Sequence, residues 1–148
     1  MTDNSPLRQR PKNIILAIRL LWGSLALGAL GVALSWDFAF SQTQMPPDFP
    51  MDKNLFFLLI ILFTYAIMSW VVLKISSGRN WARILWLIVF IIGIPISIPN
   101  LTTVYNQSKV IFLISIINSG LQLIAVCFLF SKAGNVWFKA QKELKKKN

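Results

Sequence analysis

Ser115, Asn118, Ser119 and Gln122 fall within one apolar run, three and four residues apart. That spacing places them on one face of a helix. Their chemistry is hydrogen bonding: a buried amide has to find partners, so the face is expected to turn toward protein. It would serve as a packing surface within a bundle or between copies, or line a polar conduction path. Arg19 is the one ionisable side chain two turns inside an apolar run. An arginine at that depth is a functional candidate by default, but its stem is long enough to carry the charge back to the membrane surface. Histidine is absent and Cys127 stands alone, so the commonest general base, the commonest metal ligand and an intrachain disulfide are all excluded. No Asp or Glu lies within the apolar runs, which disfavours a proton-coupled carboxylate relay. No catalytic, metal or cofactor site is expected, and the chain does not read as an enzyme.

The elements that carry these residues are four long apolar runs, about 13–36, 55–73, 81–98 and 110–130. Of the 148 residues, 55 % are hydrophobic and 14 % charged; soluble domains hold about 25 % charged residues. The fourth run alone would reach about 31 Å as a helix, against a hydrocarbon core of about 30 Å. Continuous rather than alternating apolarity selects helices over a barrel. The expected fold is therefore an all-α membrane protein, a single four-transmembrane-helix bundle. The first run also has the basic start of a signal peptide, and Ala39–Phe40–Ser41 looks like a cleavage site. Its length exceeds an h-region of about 7–15 residues, so it reads as a retained span.

Charge sets the expected orientation. Thirteen of the fifteen basic residues lie in the N-terminal flank, the second loop and the C-terminal segment, and only Lys53 and Lys109 lie in the other two connections. By the positive-inside rule both termini are cytoplasmic. The net charge of +10 then faces anionic lipid on the cytoplasmic leaflet; nucleic acid is not an expected partner, because no recognition module accompanies the charge. Arg19, Arg79, Trp81, Arg83, Trp137, Lys139 and Lys142 are the candidate interfacial anchors.

The second loop is too short to separate its flanking spans, which must form an antiparallel hairpin. Gly78 suits a positive-φ position after the second span, and Asn80 an N-cap for the third. The exterior loop 37–54, with Pro46, Pro47 and Pro50, is expected to be extended, with Phe38 and Phe40 as an aromatic shoulder. From residue 131 onward, Val136, Ala140 and Leu144 recur every four residues beside Ala133 and Trp137. This predicts a basic amphipathic helix lying in the interface. In the first span, Ser24–Gly28, Ala29–Ala33 and Gly31–Ser35 have the small-xxx-small spacing of close helix contacts. Pro95 is expected to kink the third span.

The segment Ser77–Gly78–Arg79–Asn80–Trp81–Ala82–Arg83, Gln122 in a polar span, and Leu129–Phe130 followed by Trp137–Phe138 resemble a set of small four-helix inner-membrane proteins of Gram-negative bacteria without an assigned function. The resemblance covers the second half of the chain. It implies a bacterial inner membrane and brings no catalytic residues. Small multidrug exporters use a glutamate in their first helix, and quinone-linked disulfide-forming enzymes use paired cysteines; both are missing here. The expected function is non-enzymatic, through contacts with a membrane-protein partner or as a homo-oligomer, in an accessory, assembly or immunity role. The competing expectation is an oligomeric pore or small-solute transporter, holin-like in one version, lined by the polar face of the fourth span.

Overall fold

A computed structural model describes residues 10–38 and 51–147. Most of the loop 37–54 lies outside these residues, including Phe40, its three prolines and the Ala39–Ser41 triplet. The helices are α1 Lys12–Leu34, α2 Lys53–Ser76, α3 Asn80–Ser97, α4 Leu101–Gln107, α5 Lys109–Leu129 and α6 Lys132–Lys147; a 3-10 turn, Ile98–Asn100, joins α3 to α4. No strand occurs among the described residues. Four helical stretches are long and apolar enough to cross a membrane: α1, α2, Asn80–Gln107 and α5.

The third stretch is longer than the 81–98 expected. Pro95 sits inside α3 and Pro99 at the start of the 3-10 turn, an N-terminal position where a missing N–H costs little. The backbone therefore stays helical to Gln107 before turning back into α5 through Ser108, whose extended backbone and Oγ cap the α5 N-terminus. At the start of α2, Asp52 Oδ1 accepts from the N–H groups of Asn54 and Leu55, an N-cap hidden in the sequence among loop residues.

The turn between α2 and α3 is a Schellman motif. Gly78 has φ +72°, and its N–H and that of Arg79 donate to the carbonyls of Ile75 and Lys74. The glycine is required there, since a side chain resists the left-handed backbone. Asn80 does not cap α3. It lies within the helix, and its Oδ1 accepts from Arg83 Nε instead.

Helices α1 and α5 form the closest pair, with α2 against α1 and α3 against α2. The face of α1 turned inward reads Ile14, Ala17, Leu21, Ser24, a three–four alternation that keeps a seam facing its neighbour. The same alternation runs on through Gly28, Gly31 and Ser35, none of them fully exposed. The Ser24–Gly28 and Gly31–Ser35 pairs thus lie on the packing face, while Ala29 and Ala33 are exposed. Among the described residues the fully buried side chains gather toward one end of the bundle: the first half of α1, the start of α3, the close of α2 and α5, and α6. This is the basic end. Toward the other end α3 stands away, and all residues from Ile91 to Asn100 are exposed.

Helix α6 packs across the basic end against α1, α3 and α5. Its buried face is Gly134, Trp137 and Phe138, turned about a quarter of the circumference from the expected stripe. Val136 and Ala133 are exposed. Two aromatic side chains bury more area than a row of Val, Ala and Leu, so they decide which face docks.

Candidate functional site

The four polar residues of the fourth span do not share one environment. At roughly 100° per residue, Asn118 and Ser119 mark opposite edges of a face wide enough to meet two neighbours. Ser115 and Asn118 open onto a groove of about 350 Å³ with Gly28, Ser35, Tyr65 and Gln107. Ser119 and Gln122 open onto another of about 350 Å³, between Thr64 and Met68 of α2 and Trp86, Gly93 and Ser97 of α3.

Nor do they knit helices together. Ser115 Oγ donates to Ile111 O at 2.9 Å and Ser119 Oγ to Ser115 O at 2.9 Å, both within α5, which satisfies the hydroxyls locally. Asn118 Oδ1 is buried with no hydrogen-bond partner. Within the chain, hydrogen bonds from this face to other helices are absent among the described residues. The close approach occurs instead at Gly28, where a Cβ would stand 3.0 Å from the Tyr65 hydroxyl and 3.7 Å from Asn118 Nδ2. Spacing alone pointed to Gly28 but gave no sign of Tyr65.

The interfacial candidates also divide. Arg19, Arg79, Trp81, Lys139 and Lys142 are exposed. Arg83 and Trp137 face protein, 8 % and 6 % exposed. Arg83 Nε donates to Asn80 Oδ1 at 2.7 Å, and Nη1 donates to Asn135 Oδ1 at 2.8 Å and to Leu129 O at 3.1 Å. Its guanidinium lies over the rings of Phe138 and Phe130, 4.4 and 4.9 Å from their centroids. One side chain thereby ties α3 to the last carbonyl of α5 and to α6. Asn135 completes the joint by donating through Nδ2 to Phe130 O at 3.0 Å. Gly134 admits α6 so closely that a Cβ there would stand 2.6 Å from Leu129 O. The sequence signals were slight: an asparagine three residues before Arg83, and a Gly–Asn pair before two aromatics.

No cluster of residues able to hold a metal ion occurs among the described residues. Cys127 is a free thiol on an exposed face of α5. Long apolar helices, few buried polar groups and apolar side chains exposed along most of their length define a multi-pass integral membrane protein. No family model matches the chain, and neither does any curated protein or solved structure.

Proposed function

We propose that the chain is a non-enzymatic protein of the bacterial inner membrane that works through contacts with another membrane protein or with copies of itself. Both termini, the α2–α3 turn and α6 lie on the cytoplasmic side in this reading, which rests on the thirteen-to-two division of basic residues. The basic end then rests on the anionic leaflet, and the exposed Val136 flank of α6 dips into the interface.

One observation carries the functional reading. Ser119 and Gln122 of α5 are turned into a lateral groove and make no hydrogen bond to a neighbouring helix among the described residues, beside a length of α3 that nothing covers. In hydrocarbon an unpartnered amide costs free energy that a helix from another subunit recovers by hydrogen bonding. Small residues at Gly93 and Ser97, on the groove wall, admit such a helix closely. The pore reading draws less support, because the polar face opens into two grooves instead of one lumen.

A photoreactive side chain at Ser97 tests the reading in native membranes. It is expected to capture one partner band or a dimer, while the same group at exposed Leu73 near the basic end captures neither. Liposomes holding the purified protein are expected to stay tight. A solute flux altered by Asn118→Ala or Gln122→Ala would reject the contact reading in favour of the pore.

A further inference from the structure

A guanidinium withdrawn from water is held at a cost unless negative charge meets it. Arg83, 8 % exposed, meets only neutral acceptors: two asparagine oxygens and one carbonyl. The Leu129 carbonyl closes α5, whose negative end supplies about half a charge. Two effects work the other way. Helices α3 and α6 both begin here, and neither has an acidic residue in its first turn, so two positive helix ends converge beside the cation. The surrounding ionisable groups are basic as well. Among the described residues Glu143 is the one carboxylate at this end, since Asp37 and Asp52 lie at the other.

The guanidinium is also incompletely used. Nε and Nη1 are engaged, whereas Nη2 makes no hydrogen bond among the described residues and is not sealed from the surface. That leaves two N–H groups on a side chain already fixed by three hydrogen bonds and two aromatic rings. Arginine held in that way favours a tetrahedral oxyanion, because the fork matches phosphate oxygens and little entropy remains to be lost.

We infer that the Nη2 edge of Arg83 holds the phosphate of one anionic lipid headgroup, seated where α3 and α6 begin. The inference rests on the proposed placement of the basic end at an anionic leaflet. It adds a single defined site to the diffuse attraction of the surface lysines, and it makes the lipid part of the joint that fixes α6.

The test introduces the missing carboxylate from inside. Asn80→Asp keeps the oxygen that accepts from Nε and neutralises the cation; Asn135→Asp does the same at Nη1. The full chain is placed in bilayers of mixed phosphatidylglycerol and phosphatidylcholine, and the lipids it retains are read by native mass spectrometry. Wild type is expected to keep one phosphatidylglycerol with roughly tenfold preference. Asn80→Asp, folded by circular dichroism and at least as heat-resistant as wild type, is expected to lose that preference. Lys139→Ala with Lys142→Ala is expected to thin the looser anionic shell and keep the one lipid.

If both aspartate variants keep the lipid as wild type does, the Arg83 site is wrong while the leaflet reading stands. If wild type shows no anionic enrichment at all, the leaflet reading fails and takes the site with it. Inorganic phosphate added in pure phosphatidylcholine is the third arm. If it raises the melting temperature as much as phosphatidylglycerol does, the ligand is free phosphate and the lipid assignment is overturned.

Discussion

The two ends of the bundle are built from similar helices and behave differently. At the basic end, five helices meet around Phe138, Trp137 and a hydrogen-bonded arginine, and the side chains that close the core there are almost fully buried. At the other end, α3 and the 3-10 turn after it carry Ile91, Ile92, Ile94, Ile96 and Ile98 with no neighbour to bury them. Apolarity therefore does not explain closure, because this uncovered stretch is itself rich in isoleucine. A bilayer's acyl chains solvate isoleucine as well as another helix would, so apolar side chains alone give helices little reason to associate there. Hydrogen bonds between helices do supply one, and at the basic end Arg83 and Asn135 make them where Gly134 brings α6 against the Leu129 carbonyl.

Three substitutions sharpen or break this contrast, measured as thermal unfolding of the purified protein in detergent. The largest effect is expected from Phe138→Ala, which empties a site 1 % exposed beneath Arg83. A loss of about 3–5 kcal/mol is expected, as for a buried Phe truncated to Ala. A loss under about 1 kcal/mol would mean that α6 adds little to the closed end. Gly134→Ala comes next, at about 1–3 kcal/mol, because the new methyl meets the backbone carbonyl of Leu129 and neither atom can turn aside. Protease sensitivity within α6 should rise in parallel. Ile96→Ala is expected to change stability by no more than about 0.5 kcal/mol, since Ile96 is 65 % exposed. A large loss from that truncation would show that the open end is packed in the isolated protein and would erase the contrast.

Much of the framework was legible along the chain. The four apolar stretches follow from run length, the α2–α3 hairpin from the shortness of its connection, and the positive φ at Gly78 from the residue type. Asn80 was legible as a helix-end residue and was given the wrong task. A side chain that caps in isolation is drawn off when a guanidinium one turn along competes for the same oxygen. The α6 stripe did not tell which face docks on protein, for a related reason. Periodicity marks Val136, Ala140 and Leu144 as an apolar row, whereas docking on protein is decided by which side chains find complementary surface: Phe138 lies under Arg83 and Gly134 against the Leu129 carbonyl. The polar face of α5 was visible as a face, but its division between two grooves depends on where α1 and α3 lie, and no spacing rule carries that.

Length and apolarity set the number of crossings because a backbone in hydrocarbon must satisfy its own hydrogen bonds, and a long apolar helix is the local way to do so. Those are properties of each segment by itself, and the sequence states them. Which end closes, which arginine turns inward and which amides stay unpaired are relations between segments. They were decided only in three dimensions, where a 2.7 Å bond from Arg83 to Asn80 and a glycine against the Leu129 carbonyl select one packing among helices that lipid would otherwise solvate equally well.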